Sequence, residues 1–318
     1  MGNKTLQFHL LNAFVVESNR YSGNQAAVVL FEDQSDERSK DDNWLTLTAR
    51  DFNYSETAYL VPLSASDDGK QGEWGLRWFT PEVEINLCGH ATLASSEVLF
   101  SLNPLLETAK YHTKSGILTA KRDGNDKVEI SLPGLSKEVL SNLVKEDIDQ
   151  SETKGLARAF DIDNVESSIL GYSEIDFSGI KCLVVQLNDN VKVDDIKVDI
   201  KALVEITGSA VVTQVDKAKS IETKQLHINS RVFGPAFGIE EDPVTGSSHA
   251  HLTGYYLNSA GTKHIPRELL EQVGSPKELV VIGHQRSKRG GELICRWNDD
   301  GNIRITGKAF EFGRGTLN

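Results

Sequence analysis

Residues 76–95 read LRWFTPEVEINLCGHATLAS, and the order of features in this stretch recurs in the second half of the chain. Arg77-Trp-Phe-Thr-Pro81 returns as Arg231-Val-Phe-Gly-Pro235. A glycine-led segment follows in each copy, CGHATLASSEVLF from Cys88 and TGSSHAHLTGYYL from Thr245. Ordered self-similarity of this kind indicates that one structural unit is present twice.

Two further pairs of segments flank this stretch in the same order. SGNQAAVVL at 22–30 resembles SGIKCLVVQL at 178–187. Each copy also carries an Asp-Gly pair between alternating apolar residues, Asp123-Gly124 and Asp300-Gly301. Asp-Gly in this setting is a strong signal for a β-hairpin. Four pairs in one order are not a chance result.

The repeat predicts an α/β (α+β) protein of two pseudo-symmetric halves, residues 1–135 and residues 136–307. The segments His90–Leu102 and Ser247–Ala260 are apolar almost all round, which is typical of a buried helix. We therefore expect each half to be a mostly antiparallel, curled sheet around one central helix. The boundary between the halves is placed in the polar stretch around 141–155.

The remaining elements are read from periodicity. A further helix is predicted over Trp44–Phe52, with Trp44, Leu45, Ala49 and Phe52 on one face. Gly261 is expected to end the second central helix. The second copy should carry an insertion of about 18 residues, IPRELLEQVGSPKELVVIG. Strands are predicted over Leu6–Phe14, Ala26–Leu30, Thr57–Val61 and Leu76–Phe79.

Composition excludes several classes of protein. The chain has 318 residues, of which 39% are hydrophobic and 25% charged, and its formal net charge is −12. A surplus of negative charge disfavours partners such as nucleic acid and anionic membranes. The three cysteines form no CxxC pair, and no apolar run reaches the ~20 residues of a membrane helix. The N-terminus lacks the pattern of a signal peptide. We expect a cytoplasmic protein that acts on a small molecule.

The two glycine-led turns are candidate anion sites. A helix that begins after Gly89 or Gly246 presents unpaired backbone N–H groups and about half a positive charge. Two such ends would favour a small ligand that bears a carboxylate. Since every helix has an N-terminus, the turns by themselves are also compatible with a purely structural role.

Candidate catalytic side chains lie at these points. Glu56 falls between a predicted helix and a predicted strand, where burial would make its carboxyl a useful proton carrier. His90 is in the first turn of its helix, where the dipole favours the neutral ring. Cys88 precedes Gly89 and could be a thiolate at a helix start. Capping, packing or an inert core position is the alternative for each of these residues. The second copy has no counterpart to Glu56.

No metal and no cofactor are predicted. The chain has no HExxH, Walker A loop, GxGxxG or GxSxG. His249-Ala-His251 resembles a metal-binding pair, but residues two apart on a helix face different ways.

Together, SETAYL at 55–60, LRWFTPEVEINLCGHATLAS and GIEEDPVTGSSHAHL at 238–252 resemble the PhzF family of phenazine-biosynthesis-like isomerases. The resemblance runs from about Asn12 to the C-terminus. It implies the diaminopimelate-epimerase-like fold and cofactor-free proton transfer in a cleft between the halves. It also implies that residues 308–318 return as a final strand to the first half, and that the protein is a homodimer.

The family's characterised activity is isomerisation of a dihydro-hydroxyanthranilate by a glutamate that shuttles a proton. The resemblance places that glutamate at Glu56, with His90 and Asp242 as further catalytic residues. On the matching motif, the resemblance assigns substrate binding to Gly246 and Ser247. We add Gly89 and Cys88 at the other glycine-led turn. We expect Glu56, His90 and Asp242 to converge on one pocket.

The sequence departs from the family pattern at two positions, and the family's substrate contacts are not carried over there. Asn12 stands where the family usually has aspartate, and Gln25 stands where it usually has proline. Cys88 falls where epimerases of this fold keep one of two catalytic cysteines, and we place the second at Ser247. Three functions stay open: a glutamate-dependent isomerase, a thiol-assisted epimerase using Cys88, and a binding protein that keeps only the fold.

Overall fold

The computed structural model describes residues 5–124, 126–134, 150–162, 165–177, 180–258, 260–298 and 300–318. The strands, in chain order, are β1 Leu6–Ala13, β2 Asn24–Leu30, β3 Glu56–Ala65, β4 Gln71–Phe79, β5 Glu84–Ile85, β6 Thr108–Thr113, β7 Gly116–Asp123, β8 Lys127–Pro133, β9 Ile169–Phe177, β10 Ile180–Leu187, β11 Ser209–Val215, β12 Leu226–Gly234, β13 Ile239–Asp242, β14 Val281–Gln285, β15 Gly291–Trp297, β16 Asn302–Gly307 and β17 Ala309–Leu317.

The α-helices are α1 Asp42–Phe52, α2 Gly89–Leu102, α3 Gln150–Phe160, α4 Val165–Ser168, α5 Ile200–Val204, α6 Lys217–Thr223, α7 Gly246–Asn258 and α8 Arg267–Leu270. Short 3-10 helices cover Glu37–Lys40, Val193–Asp195, Pro235–Phe237, Ala260–His264 and Pro276–Glu278. None of the helices in the described ranges is long and apolar enough to cross a membrane.

The chain forms two compact units. The first unit is Met1–Leu132 with Arg304–Asn318, and the second unit is Pro133–Ile303. In the first unit β1 pairs antiparallel with both β17 and β2, β2 parallel with β3, β3 antiparallel with β4, β4 parallel with β6, and β6 antiparallel with β7. A helix connects each parallel pair, α1 for β2 and β3 and α2 for β4 and β6, because parallel neighbours need a crossover.

The second unit repeats this topology. Here β9 pairs antiparallel with β10, β10 parallel with β11, β11 antiparallel with β12, β12 parallel with β14, and β14 antiparallel with β15. The helix α7 lies between β12 and β14 in the chain, as α2 lies between β4 and β6. The predicted α/β class, with one mostly antiparallel sheet and one central helix in each half, is therefore confirmed.

The repeated arginines occupy equivalent positions in the two units. Arg77 on β4 makes two hydrogen bonds to Glu84, at 2.8 and 2.6 Å, and Arg231 on β12 makes two to Glu241, at 2.7 and 3.0 Å. Each guanidinium lies over the phenylalanine two residues further along its strand, 5.0 or 5.1 Å from the ring centroid. The shared pattern supports the internal repeat read from the sequence.

The central helix of the first unit is buried as predicted. Every residue from Gly89 to Ser96 is buried, and α2 packs against β1, β2 and β3. The helix α1 begins at Asp42, two residues before the predicted start, because the Asp41 carboxylate accepts the N–H groups of Asn43 and Trp44. This is ordinary N-cap chemistry.

Two predictions about the second unit are wrong. Gly261 does not end the central helix, because α7 ends at Asn258 and Gly261 lies inside the 3-10 helix Ala260–His264. A side chain at Gly261 would meet Tyr255 at 2.5 Å, so close packing explains the glycine. The predicted insertion also runs too far, since its last residues belong to β14, the counterpart of β6. The predicted repeat start Ser178-Gly179 and residues 141–149 of the predicted boundary lie outside the described residues.

Candidate active site

Glu56 is the first residue of β3 and follows the end of α1 directly. Asn53 ends that helix in the left-handed conformation, with φ of 54°, and turns the chain into the strand. Parallel pairing sets Glu56 opposite Ala26 on β2. The residue is only 7% exposed. The sheet register thus carries a carboxylate into the interior of the first unit.

His90 lies beside this carboxylate. Its Nε2 is 3.2 Å from Oε2 of Glu56, and its exposed fraction is 3%. Burial lowers the pKa of His90 to about 3, and a backbone contact with Gln25 acts weakly in the opposite direction. The imidazole is therefore neutral at physiological pH. The neutral ring expected from the helix dipole is present, but desolvation is its main cause.

Asn24 and Ser55 determine which nitrogen of His90 carries the proton. The Ser55 hydroxyl donates to Oδ1 of Asn24 at 3.1 Å, and Nδ2 of Asn24 lies 3.2 Å from Nδ1 of His90. An amide NH₂ group can only donate, so Nδ1 of the ring must accept. The ring proton is then on Nε2, which faces Glu56. That nitrogen lies 3.2 Å from Oε2 of Glu56 and 3.5 Å from the Ser55 hydroxyl.

Cys88 completes this cluster. It is buried, it occupies the N-cap position of α2 with no capping hydrogen bond from its side chain, and its Sγ lies 3.4 Å from Nδ1 of His90. The carboxylate, thiol and imidazole have ligand atoms within 4.8 Å of one another, the one such group of three in the part of the chain the structure describes. They fit a metal poorly, because Cys88 and Glu56 face opposite nitrogens of the ring and one ion can bind only one of these.

The second unit brings together the residues predicted before α7. The hydroxyl of Thr245 donates to Oδ2 of Asp242 at 2.5 Å. His249 donates from Nδ1 to the carbonyl of Thr245 at 2.9 Å and accepts from the Ser230 hydroxyl at 3.2 Å. Burial lowers the pKa of His249 to about 4, so this ring too is neutral. The turn Asp242–Thr245 is therefore hydrogen-bonded to His249 in the first turn of α7.

Two residues that the sequence analysis does not identify contact the candidate residues, one in each unit. Asn24 follows Gly23, whose φ of +80° marks a tight turn, and no motif in the sequence links Asn24 to His90. Gln285, 1% exposed at the end of β14, contacts the turn before α7 and gave no signal in the sequence. Its partners lie about 40 positions earlier in the chain and meet it only through the parallel pairing of β12 with β14.

The register gives the counterpart of each site residue in the other unit. Ser209, the first residue of β11, stands where Glu56 stands on β3 and donates its hydroxyl to the carbonyl of Phe233. This agrees with the expectation that the second copy lacks a matching carboxylate. Since α2 and α7 begin at Gly89 and Gly246, the counterpart of Cys88 is Thr245. Within the repeat, Ser247 therefore matches His90. The placement of the second catalytic cysteine of the epimerases at Ser247 stays a prediction.

The structure thus groups Glu56, His90 and Cys88 with Gly89 at the start of α2 in the first unit. It groups Asp242 with Thr245, one residue before Gly246 and two before Ser247, in the second. The convergence of Asp242 with Glu56 and His90 on one pocket stays a prediction.

Comparison with known proteins extends over nearly the whole chain. The family model described as "Phenazine biosynthesis-like protein" (PhzC-PhzF) matches residues 11–315. The mouse phenazine biosynthesis-like domain-containing protein 2 is 34% identical over 98% of this chain and 99% of its own. An uncharacterized isomerase of Halalkalibacterium halodurans is 29% identical over 98% of both chains.

A solved structure supports the same assignment. The crystal structure of a PhzF-family protein of Enterococcus faecalis is 27% identical, covers 99% of this chain and 100% of its own, and superposes with a TM-score of 0.73. The predicted diaminopimelate-epimerase-like fold is confirmed. Together with the match over residues 11–315, these findings show that the chain belongs to the phenazine biosynthesis-like (PhzC-PhzF) family.

Proposed function

We propose that this protein is a cofactor-independent isomerase in which Glu56 transfers a proton on a small, carboxylate-bearing metabolite, cyclic ones included. The buried pair of Glu56 and the neutral His90, 3.2 Å apart, is the observation that carries the proposal. The membership of a family with relatives named as isomerases supports the reaction class.

The chemistry needs only a base that can return its proton. The Glu56 carboxylate removes a proton from one substrate carbon, the double bond shifts, and the same carboxyl group delivers the proton to another carbon. No oxidant or reductant is consumed. A neutral His90 orients the carboxylate through its N–H without forming an ion pair, which would make the carboxylate a weaker base.

The glycine-led turns supply the binding of the substrate carboxylate in this proposal. Gly246 and Ser247 begin α7 and Gly89 begins α2, so their backbone N–H groups and the Ser247 hydroxyl are suitable donors to an anion. Asp242 is assigned to proton handling on the strength of the family motif alone. Replacing Ser247 with alanine should weaken carboxylate binding by about 1–2 kcal/mol, whereas Ser248→Ala is the matched control.

A thiol-assisted epimerase is the second candidate. The 3.4 Å distance between Cys88 Sγ and Nδ1 of His90 favours it, because an imidazole can accept the thiol proton. In this mechanism Cys88 and Glu56 would act on opposite faces of one carbon. Alkylation of Cys88, read together with Cys88→Ser, separates the two enzymes: Cys88→Ser should abolish epimerisation and leave the isomerase active.

Solvent deuterium is the direct test of the proposal. The protein is incubated in D₂O with small cyclic carboxylic acids, a dihydro-hydroxyanthranilate among them, and products are analysed by mass spectrometry. We expect deuterium in a turned-over compound and a loss of turnover on the order of 10²-fold or more in Glu56→Gln. Glu97→Gln, a change at a half-buried glutamate on α2, is the control. Deuterium incorporation that persists in Glu56→Gln would exclude Glu56 as the base.

Three further features belong to the proposal. The protein acts without a metal, and elemental analysis that finds one equivalent of zinc or iron would contradict this. It forms a homodimer, so light scattering should give twice the mass of one chain. We place it in the cytoplasm, where its cysteines stay reduced.

A further inference from the structure

We infer that Gln285 is a positioning residue that holds the turn before α7 in the shape needed to bind the substrate carboxylate. The inference rests on the proposed function, since it assigns a role within the same binding turn. It stands on the contacts of one buried side chain and on a difference between the two units.

Gln285 uses both ends of its amide on the turn. Its Oε1 accepts the backbone N–H of Thr245 at 2.8 Å, and its Nε2 donates to the backbone carbonyl of Asp242 at 2.6 Å. The same Nε2 lies 3.4 Å from the Thr245 hydroxyl. The side chain therefore closes a ring across the whole turn, from its first residue to its last, and does so away from water.

With these contacts, every polar group of Thr245 has a hydrogen-bond partner. Its N–H is bound by Gln285, its hydroxyl donates to Asp242, and its carbonyl accepts from both the N–H and Nδ1 of His249. Thr245 directly precedes Gly246 and Ser247, the residues proposed to hold the carboxylate. Donors that are held in place before the ligand arrives bind it more tightly, because less conformational freedom is lost on binding.

The first unit shows which part of this arrangement is common to both units. Ser115 donates its hydroxyl to the carbonyl of Asn86, three residues before Gly89, at 2.6 Å. Ser287 donates likewise to the carbonyl of Pro243, three residues before Gly246, at 2.7 Å. The serine contact is thus common to both units.

The glutamine contact differs between the units. The residue two before Ser115 is Thr113, whose hydroxyl donates to the carbonyl of Gly116, and the residue two before Ser287 is Gln285. In the first unit the residue before α2 is Cys88, whose Sγ lies beside His90, and in the second the residue before α7 is Thr245, which is hydrogen-bonded at every polar group. The amide clamp is thus present at the turn that precedes Gly246 and Ser247, and a threonine takes its place beside the turn that precedes Gly89.

Two measurements on the full-length protein test the inference. Hydrogen exchange of the Thr245 amide reports on the clamp without any ligand, and the Kd of anthranilate, the aromatic relative of the family's dihydro-hydroxyanthranilate, reports on the binding turn. Gln285→Met keeps the volume and removes both hydrogen bonds. Gln186→Met is the matched control, because Gln186 is also 1% exposed and contacts α7 at its far end through the Tyr256 hydroxyl.

We expect Gln285→Met to speed exchange at Thr245 and to weaken anthranilate binding on the order of tenfold, while Gln186→Met leaves the Kd within about twofold of wild type. Gln285→Glu, which retains an acceptor for the Thr245 N–H, serves if the first variant does not fold, and should weaken binding while Thr245 stays protected.

Unchanged exchange in Gln285→Met, or a Kd that stays at the wild-type value, would overturn the inference. An equal loss of affinity in Gln186→Met would do the same, since the effect would then be general. Wild-type protein that binds no anthranilate would count against the proposed function, and exchange at Thr245 would still decide whether the clamp exists.

Discussion

Asn24 fixes the position of one proton in the first unit. Its amide is oriented by the Ser55 hydroxyl, and the orientation makes Nδ1 of His90 an acceptor and places the ring proton on Nε2, 3.2 Å from Oε2 of Glu56. The tautomer of the histidine beside the candidate base is therefore set by residues that need not touch the substrate.

Asn24→Asp should reverse this tautomer. A carboxylate at position 24 can only accept, so Nδ1 of His90 must carry a proton, and a second negative charge beside the ring raises its pKa. Nitrogen chemical shifts of the imidazole, measured by NMR, should change from the Nε2–H pattern to the Nδ1–H or imidazolium pattern. Turnover should fall by about 10- to 10²-fold.

Asn12→Asp is the matched control for this change. Asn12 is 3% exposed in the same unit, its amide donates to the carbonyl of Arg20, and aspartate is the family's usual residue there. The His90 spectrum should stay as in wild type. An unchanged spectrum in Asn24→Asp would show that another partner sets the tautomer.

The buried neutral His90 should make stability depend on pH. Its pKa is lowered to about 3 in the folded protein, against about 6.5 unfolded, so the unfolded chain binds more protons between these values. The contribution of this residue is complete above pH 6.5 and is lost as the pH falls towards 3. It amounts to about 2 kcal/mol between pH 7 and pH 5.

Urea unfolding at several pH values measures this effect. His90→Asn removes the titrating group, so its unfolding free energy should fall less steeply than that of wild type between pH 6.5 and pH 5. Parallel curves for the two proteins would mean that His90 is protonated at similar pH in the folded and unfolded states.

The candidate catalytic residues could be predicted from the sequence, whereas the residues that form hydrogen bonds around them could not. Glu56 and His90 lie at the boundaries of elements, within motifs that can be read directly. Asn24 and Gln285 act through strand register, and a one-residue shift of β2 against β3, or of β12 against β14, would turn each of them to the other face. Register is a property of the assembled sheet, so no local pattern reveals it.

At the scale of elements, the close packing of α7 on β14 depends on a glycine, Gly283. A side chain at Gly283 would lie 2.2 Å from Cδ2 of His249 and 2.7 Å from its Nε2. His249 cannot move aside easily, because it is bound to the Thr245 carbonyl and to the Ser230 hydroxyl. The absence of a side chain at Gly283 is what allows the helix to lie this near the strand.

Gly283→Ala should therefore destabilise the second unit by about 1–3 kcal/mol, as overpacking commonly does. The free energy of urea unfolding measures the change. Gly171→Ala on β9 is the control, since a side chain there meets no atom within 4 Å, and its effect should be small or slightly stabilising. Equal effects at the two glycines would show that the contact with His249 is not the cause.

Element ends were harder to predict than element types. The helix α1 starts early because of the Asp41 cap, and α7 stops before Gly261 because a 3-10 helix takes over at Ala260. The hairpin signals performed better: β7 and β8 pair around Asp123-Gly124, and Gly301 adopts φ of +87° in the turn before β16. Turn chemistry is local, whereas the length of a helix depends on what packs against it.

At the scale of the whole molecule, the two units share a topology but differ in the chemistry they carry. Where the first unit has Glu56 and His90, the register gives Ser209 and Ser247 in the second. Repetition accounts for the fold, and the divergence of a few positions accounts for the candidate site. This is why the internal repeat predicted the architecture well and the function only through the family motifs.

The chain's last strand belongs to its first unit, and this has a consequence for folding. β17 pairs with β1 along Leu6 to Ala13, and β1 also pairs with β2. The buried residues Leu11 and Ala13 therefore lie on an interior strand of the sheet. Without β17, β1 would become an edge with unpaired backbone groups, which exposes a template for association with other chains.

A chain that stops at Gly307 should accordingly be unstable and prone to aggregate, although it retains Glu56, His90 and every residue of the second unit. We expect a lower urea midpoint and a rise in light scattering on mild heating. Removal of Asn318 alone, which lies beyond β17, is the control and should leave both measurements as in the full chain. If the protein ending at Gly307 were as stable and monodisperse as that control, the pairing of β17 with β1 would contribute little, and the first unit would be complete without the C-terminus.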